Sequence, residues 1–288
     1  MPKKAASPDN TRSGGGLLGK GPFLRTVERR AGADGERFPF TVPAIRSLES
    51  LDLSAPVTFF VGENGSGKST LLEAIAASAG LPAVGSEDVD ADATLAGQRL
   101  LGDALRLVWS RRATRGFFLR AEDFFGYTRR LARLRAELLE RLDEIEVEYA
   151  ERSSFAKGLA AGPVRASLGA LEARYGVDLD ANSHGESFLR LFQSRFVPGG
   201  LYLLDEPEAP LSPQSQLGLL AIMTDMVAQD AQFIVATHSP ILMAYPGANI
   251  LSFDQKPVER VRYEELESVR LMRDFIADPE RYVRRLAQ

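Results

Sequence analysis

VTFFVGENGSGKST, residues 57–70, joins an apolar β-branched and aromatic run to a glycine-rich turn and to the start of a helical pattern. The run at 57–61 predicts a buried strand, and LLEAIAAS at 71–78 predicts a helix that ends near Gly80. Glycines let successive backbone N–H groups wrap a phosphate, and the N-terminus of a helix favours an anion. Strand, turn and helix together predict a phosphate-binding loop rather than an ordinary structural turn.

Every residue of this turn and of the helix start is a candidate for contact with a nucleotide. The Lys68 side chain can reach the β- and γ-phosphates, and the Ser69 hydroxyl can ligate Mg²⁺. The candidates are Gly62, Glu63, Asn64, Gly65, Ser66, Gly67, Lys68, Ser69 and Thr70.

The composition restricts the kind of metal site. Cysteine is absent from the 288 residues, and the histidines are His184 and His238. Disulfides, thiolate zinc sites and histidine-rich metal sites are therefore excluded, so a bound metal takes oxygen ligands. The formal charge of −4 argues against a chain that coats nucleic acid over its whole surface, but it leaves room for a local basic face.

The N-terminal stretch has the composition of a tail. Residues 1–21 are rich in Lys, Ser and Gly and have no apolar core of a signal peptide, and apolar runs elsewhere fall short of the roughly twenty residues that cross a bilayer. We expect a disordered tail at 1–21, a single domain at 22–288 and a cytoplasmic protein.

Two segments before the phosphate loop predict an antiparallel hairpin. Residues 23–29 alternate as a strand does, and Asp34-Gly35 favours a turn before an extended piece at 38–42. Its aromatic residues, Phe38 and Phe40, could stack on an adenine or could belong to the core.

The middle of the chain predicts a helical lid subdomain, at about 85–180. Strands are expected at 104–110 and 116–120, a long helix at 123–151 and a second helix at 164–174. Because the apolar stripe of the long helix ends near Gly158 and Gly162-Pro163, a long coiled-coil arm is excluded.

Basic residues in this segment have two interpretations. They could hold a nucleic-acid backbone, or they could form a solvated helix face. The solvated face is favoured because acidic residues follow at once from Glu137 onward. The basic residues are Arg111, Arg112, Arg115, Arg129, Arg130, Arg133 and Arg135.

The last third alternates strands and helices. Apolar runs at 201–204, 232–236 and 249–253 predict strands, 214–229 predicts a helix, and 258–288 predicts one or two amphipathic helices. Because the carboxyl ends of parallel strands meet at one edge, we expect Lys68, Asp205, Glu206 and His238 to converge there.

These residue types suit the hydrolysis of a phosphoanhydride. Asp205 can complete a Mg²⁺ shell opposite Ser69, and Glu206 can polarise the attacking water. His238 could bond the γ-phosphate or the water, although a lone histidine is also commonly structural. An acidic pair that merely caps a strand is disfavoured, because adjacent carboxylates repel without a cation.

Four motifs in order resemble the ATP-binding cassette (ABC) ATPases. They are GENGSGKST at 62–70, SHGES at 183–187, LYLLDEPEAPLSP at 201–213 and THSP at 237–240. More closely, the chain is similar to stand-alone prokaryotic ATPases of the AAA family, in the branch with structural-maintenance-of-chromosomes (SMC) proteins, RecF-type ATPases and the ATPase domains of overcoming-lysogenization-defect nucleases. The fold implied is an α/β P-loop NTPase of ABC type, with a mostly parallel core sheet, an N-terminal antiparallel hairpin and a helical insertion.

The resemblance also implies residue roles. It makes 62–70 the Walker A motif, Asp205 and Glu206 the Walker B aspartate and catalytic glutamate, 209–212 the D-loop and His238 the switch histidine. The family's Q-loop glutamine has no evident counterpart after GFFLR, where Glu122 is the candidate third metal ligand beside Ser69 and Asp205. The residues in the place of the signature, expected to act on a neighbour's nucleotide, are Ser183, His184, Gly185 and Glu186.

The function implied is Mg²⁺-dependent ATP hydrolysis in a homodimer held head to tail by ATP. Such a dimer would act on DNA or on a partner protein, in genome maintenance or defence, and a membrane is not an expected partner. An alternative is the ATP-binding subunit of a membrane transporter, and a third is a non-hydrolysing ATP switch, against which Glu206 argues.

Overall fold

The computed structural model describes residues 22–32, 35–84, 96–175 and 184–286, so the expected tail at 1–21 lies outside the described residues. The strands are β1 (Leu24–Arg29), β2 (Ser50–Asp52), β3 (Val57–Val61), β4 (Leu105–Trp109), β5 (Gly116–Arg120), β6 (Leu201–Asp205), β7 (Gln232–Ala236), β8 (Asn249–Ser252) and β9 (Glu259–Val261). The helices are α1 (Pro43–Arg46), α2 (Lys68–Ala79), α3 (Ala96–Ala104), α4 (Ala121–Glu148), α5 (Ser154–Tyr175), α6 (His184–Arg195), α7 (Pro213–Ala228), α8 (Pro240–Met243), α9 (Glu267–Ala277) and α10 (Pro279–Leu286), and a 3₁₀ turn spans Tyr263–Glu265.

The larger sheet of the described residues has the strand order β5-β6-β7-β3-β8-β9. Neighbouring strands are parallel except at the edge, where β9 runs antiparallel to β8. Every residue of β3, β6 and β7 is buried, as expected for parallel strands that are covered on both faces. The predicted α/β class with a mostly parallel core is confirmed.

Apolar side chains cover this sheet on both faces. Alternate residues of β3 divide between two apolar clusters: Phe59 packs in the cluster with α6 and α7, and Phe60 packs in the cluster with α2 and the second sheet. The β3 strand is therefore fixed from both sides, and so is the loop that follows it.

The smaller sheet is antiparallel and has the order β2-β1-β4. The strand predicted at 23–29 is present as β1, but its partners are β2 and β4, and the extended piece predicted at 38–42 is wrong. Residues 38–42 form turns instead, in which the Val42 N–H donates to the Pro39 carbonyl at 3.1 Å. Pro39 has no N–H to donate to a ladder, and Pro43 starts α1, so the proline spacing favours turns over a strand.

One buried side chain links the two sheets. The Gln232 amide of β7 accepts hydrogen bonds from the N–H groups of Phe23 and Leu24, both at 2.9 Å, and donates to the carbonyls of Leu24 and Leu53, both at 2.8 Å. Because all four hydrogen-bonding positions of the amide are used, its burial costs little free energy.

Helices α4 and α5 form a hairpin within the range predicted for the helical subdomain. The long helix is confirmed, but α5 begins at Ser154 rather than near 164 and contains Pro163. Pro163 alone would favour a break in the helix, but contacts with α4 stabilise α5 on both sides of it. Arg135 pairs with Glu172 at 3.0 Å, and Lys157 pairs with Glu146. Two strands also fall within the range 85–180: β4 belongs to the smaller sheet and β5 to the larger one.

The C-terminal segment, predicted to form one or two amphipathic helices, contains two, α9 and α10, and also the short strand β9, which was not predicted. Three residues with partial exposure carry too little periodicity for a strand to be predicted there. Among the described residues, none of the helices combines the length and apolar character needed to cross a membrane.

Candidate functional site

The phosphate loop follows β3 at the centre of the larger sheet, and α2 starts at its end. Gly62 and Gly67 have φ angles of 144° and 107°, which side chains rarely adopt. A Cβ on Gly67 would lie 2.7 Å from Cγ1 of Val42, and one on Gly62 would lie 2.9 Å from Oδ1 of Asp254. Glycine is therefore the residue that fits at these two positions.

Lys68, the first residue of α2, reaches back over the loop. Its Nζ donates to the carbonyl oxygens of Gly62 and Glu63, both at 2.8 Å, and the residue is 4% exposed. Burial lowers the pKa of Lys68, and nearby carboxylates, Glu206 first, oppose that shift. The ammonium is therefore held inside the curve of the loop, where a phosphate would lie.

Ser69 and Asp205 provide adjacent oxygen atoms at the start of α2 and the end of β6. The Ser69 hydroxyl donates to Oδ1 of Asp205 at 3.0 Å. Burial raises the pKa of Asp205 to about 7, and the Ser69 hydrogen bond opposes the shift. A hydroxyl beside a buried carboxylate at a phosphate loop is an oxygen donor set that fits Mg²⁺.

Glu206 and His238 lie beyond Asp205 on the loops after β6 and β7. Asp205 is paired with Ala236 in the parallel register, and the Glu206 N–H continues the ladder by donating to the Ala236 carbonyl at 2.9 Å. Nε2 of His238 is 3.8 Å from Oε1 of Glu206, and both side chains are about half exposed. Glu206 has a φ of 48°, an uncommon left-handed conformation that turns its chain away from the strand direction.

The end of β5 brings Arg120, rather than Glu122, beside the end of β6. The register pairs Arg120 with Asp205, and the Arg120 guanidinium forms a buried ion pair at 2.8 Å with Glu73 of α2. The Glu122 carboxylate has 79% of its side chain exposed and lies 3.7 Å from Nη1 of Arg120. Its role as a metal ligand stays a prediction.

Three polar residues near the site were not singled out from the sequence as candidates. They are Glu73, Asp254 and Glu208. Glu73 is four residues after Ser69 on α2 and so faces the same side of the helix. Asp254 follows β8 and accepts a hydrogen bond from the Glu63 N–H at 2.8 Å. Its position just after a strand of the same sheet was a signal that could have identified it.

Two cavities are lined by candidate residues. One, of about 650 Å³, is lined by residues 62–66, His238, Asp254 and Leu271 of α9. The other, of about 760 Å³, is lined by Phe40 together with Arg29 and Arg46. Phe40 thus borders a cavity whose described lining contains none of the phosphate-loop residues, and its stacking on an adenine stays a prediction.

The signature-like segment is only partly described. Ser183 lies outside the described residues, while His184, Gly185 and Glu186 form the first turn of α6, whose side chains are not described there. Further along α6, Phe188 and Phe192 are fully buried, with ring centroids 4.5 Å apart. These contacts anchor the helix to the core.

Two family models match the chain. One, described as "AAA domain", matches residues 41–88, and the other, described as "AAA domain, putative AbiEii toxin, Type IV TA system", matches residues 120–244. The first segment holds the phosphate loop, and the second runs from β5 through β6 and β7 to α8. Both models describe AAA domains, in agreement with the predicted resemblance to ATPases of the AAA family. No curated protein matches the chain.

Solved structures with a similar fold include SMC heads and ABC ATPases. The Smc head domain of Pyrococcus furiosus bound to the C-terminal domain of ScpA has 13% identity, 88% coverage of this chain, 99% coverage of that chain and a TM-score of 0.38. The Smc head bound to the C-winged helix domain of ScpA has 15% identity, coverages of 85% and 99%, and a TM-score of 0.45. MJ1267, an ATP-binding cassette of an ABC transporter, has 18% identity in its ADP conformation, coverages of 90% and 96%, and a TM-score of 0.41.

Proposed function

We propose that this protein, with its AAA-domain segments at 41–88 and 120–244, is a Mg²⁺-dependent ATPase. The observation that carries the proposal is the convergence of four features at the ends of three neighbouring strands. The phosphate loop with Lys68 follows β3, the Ser69–Asp205 pair is at the end of β6, and Glu206 and His238 follow β6 and β7. Each is a part that phosphoryl transfer to water requires.

The chain's own residues divide the work of hydrolysis. Backbone N–H groups of the phosphate loop bind the β-phosphate, and Lys68 exchanges its bonds to the Gly62 and Glu63 carbonyls for bonds to phosphate oxygens. Glu206 accepts a proton from the attacking water while the water oxygen forms a bond to the γ-phosphorus. At the same time, the bond between the γ-phosphorus and the oxygen that leaves with ADP breaks. His238, beside Glu206, donates a hydrogen bond to the γ-phosphate. Ser69 and Asp205 would hold Mg²⁺, which when bound neutralises charge on the phosphates.

The dimeric arrangement is a further part of this proposal. The start of α6, at Ser183 to Glu186, would meet the nucleotide of a second copy head to tail, because a helix N-terminus favours the charge of a γ-phosphate. ATP, with its additional phosphate, would then hold the two copies together. The α4–α5 hairpin, which lies between the phosphate loop and α6 in the sequence, would belong to the helical lid.

The macromolecule on which such a dimer acts is DNA or a partner protein. The basic residues of α4 give limited support to DNA, since Arg135 is already paired with Glu172 of α5 through two nitrogen atoms. Arg129 and Arg130 have exposed side chains, and so does Arg133. The solvated-face interpretation therefore remains the favoured one for this helix.

Two substitutions test the ATPase assignment. We expect Lys68→Ala to lose ATP affinity, because it removes the charge inside the loop. We expect Glu206→Gln to bind ATP and to hydrolyse it at least ~100-fold more slowly, the scale of a positioned base. Fluorescent-nucleotide binding and phosphate release measure the two effects.

Glu137→Gln, on the exposed face of α4, is the matched control and should hydrolyse ATP at the wild-type rate. Near-normal turnover by Glu206→Gln would refute the base assignment. Absence of phosphate release from the wild-type protein with ATP and Mg²⁺ would refute the ATPase.

A further inference from the structure

Glu208 is a second carboxylate on the loop after β6, and the hydrolysis described above does not use it. Its Oε1 accepts a hydrogen bond from the backbone N–H of His238 at 2.6 Å. Its Oε2 is buried and has no hydrogen-bond partner among the residues that the structure describes. Glu208 as a whole is half-buried, and burying one carboxylate oxygen without a partner costs free energy, so the hydrogen bond accepted by Oε1 offsets part of that cost.

The two loops that this hydrogen bond joins carry the proposed catalytic pair. Because β6 and β7 are parallel neighbours, the loops leave the same edge of the sheet side by side. Glu206, two residues before Glu208, approaches the His238 ring at 3.8 Å. The loop after β6 therefore contacts His238 twice, at the ring through Glu206 and at the main chain through Glu208.

A second connection lies farther along both loops. The Gln216 side chain of α7 donates to the Leu211 carbonyl at 3.2 Å and accepts a hydrogen bond from the Ser239 hydroxyl at 2.5 Å. Ser239 in turn caps α8 by accepting from the Leu242 N–H at 3.2 Å. The segment containing His238 is thus attached to the loop after β6 at the histidine itself and, through Gln216, at the residue that follows it.

We propose that Glu208 is a positioning residue that holds His238 at its working distance from Glu206. The inference rests on the proposed ATPase function and deepens it. A hydrogen bond from a backbone N–H to a carboxylate is short and strong, so it fixes the His238 backbone relative to the loop that carries Glu206. Displacement of a catalytic group by about 1 Å can cost about 100-fold in rate, which sets the scale of the effect.

The competing possibility is that Glu208 acts through its negative charge, on Lys68 or on the bound nucleotide. The two roles separate on substitution by glutamine. Glu208→Gln removes the charge but keeps a side-chain oxygen that can accept the His238 N–H, whereas Glu208→Ala removes both.

Turnover measurements form the first part of the test. We expect Glu208→Ala to lower kcat about 30-fold with the KM for ATP changed less than about 2-fold, and Glu208→Gln to retain kcat within about 3-fold. In a His238→Ala background, Glu208→Ala should lower kcat less than about 2-fold further, because the ring it positions is gone. Gln216→Ala, which removes the second connection, should lower kcat about 5-fold at unchanged KM and provides a second variant if Glu208→Ala unfolds.

Histidine-ring NMR gives a readout that does not require turnover. The chain contains only His184 and His238, so His184→Gln assigns both ring signals, and the His184 signal then serves as an internal reference. We expect Glu208→Ala to shift and broaden the His238 signal and Glu208→Gln to leave it near its wild-type position.

Three results would overturn the inference: a Glu208→Gln enzyme as slow as Glu208→Ala, full additivity with His238→Ala, or an unchanged His238 signal in Glu208→Ala. A wild-type protein without ATP turnover, in which Glu208→Ala still moves the His238 signal, would refute the ATPase and support the positioning role.

Discussion

Asp205 ends the fully buried strand β6, and only the Ser69 hydroxyl donates a hydrogen bond to its carboxylate among the described contacts. Burial raises its pKa to about 7, while the nearby Glu73 and Glu206 carboxylates add to the shift. Without a metal, the folded protein thus binds a proton at this site more tightly than the unfolded chain does. Stability should depend on pH as a consequence.

We expect the free energy of unfolding to fall as pH rises from about 4 to about 7, in a metal chelator, because ionisation of buried Asp205 is unfavourable. The contribution of Asp205 to the free energy of unfolding is fully present below pH 3.8, the pKa of the unfolded chain. It is lost as the pH rises to the folded pKa of about 7. Urea unfolding at pH 5 and 7.5 measures it. Asp205→Asn should reduce the loss of stability between the two pH values. An Asp205→Asn protein with the wild-type pH dependence would show that Asp205 is not the group responsible.

Sequence reasoning located the residues that the structure brings together at the phosphate loop, Lys68, Ser69, Asp205, Glu206 and His238, because each lies at a fixed offset from an apolar run. The partners of these residues could not be located in the same way. Glu208 meets His238 across two loops, and Asp254 meets the Glu63 N–H across 191 positions. The position of Asp254 just after an apolar run could have marked it as a candidate, but which residues Asp254 and Glu208 contact depends on strand order, which no local pattern encodes.

At the scale of elements, a buried ion pair joins α2 to the end of β5. Arg120 and Glu73 have side-chain exposures of 12% and 10%, and the Arg120 guanidinium also lies over the Phe118 ring at 5.6 Å. Since α4 begins at the next residue, Ala121, this pair fixes the base of the α4–α5 hairpin against the helix that carries Lys68 and Ser69.

We expect Arg120→Met to lower the free energy of unfolding by about 3 kcal/mol, because it leaves the buried Glu73 carboxylate without this cation. The double variant Arg120→Met/Glu73→Leu should regain part of the loss, since it removes the buried charge as well. Arg106→Met, whose pair with Glu28 is mostly exposed, is the control and should change stability by less than about 1 kcal/mol. Urea unfolding measures these changes, and equal losses of stability in Arg120→Met and Arg106→Met would contradict a stabilising role of the buried pair.

Long apolar runs predicted the central strands, and errors occurred where tertiary contacts decide the local structure. Residues 38–42 were predicted to be extended, but Pro39 within them and Pro43 just after them favour turns that lead into α1. The start of α5 at Ser154 and its passage through Pro163 depend on packing against α4, which the local sequence of α5 does not specify.

At the scale of the whole molecule, one chain carries one described phosphate loop and one α6 helix start. If ATP joins two copies through these features, dimerisation should require it, because ADP lacks the phosphate that would face the second helix. In the Glu206→Gln background, we expect light scattering to show a monomer with ADP and a dimer with ATP and Mg²⁺.

Ser183→Arg should abolish the dimer and leave ATP binding by the monomer intact. Ser153→Arg, at the exposed turn between α4 and α5, is the matched control and should still dimerise. An ATP-bound protein that stays monomeric at tens of micromolar, where an association of about −6 to −7 kcal/mol would be visible, would contradict the head-to-tail arrangement.

The position of β3 between β7 and β8 also has a consequence for synthesis on the ribosome. A chain is made from its N-terminus, so the phosphate loop leaves the ribosome long before either of the strands that hold β3, which begin at Gln232 and Asn249. Pairing of β3 on both sides can therefore be complete only after residue 252 has emerged. A translation arrest between residue 70 and the start of β7 leaves a nascent chain that contains the whole 57–70 stretch and neither of the strands that pair with β3.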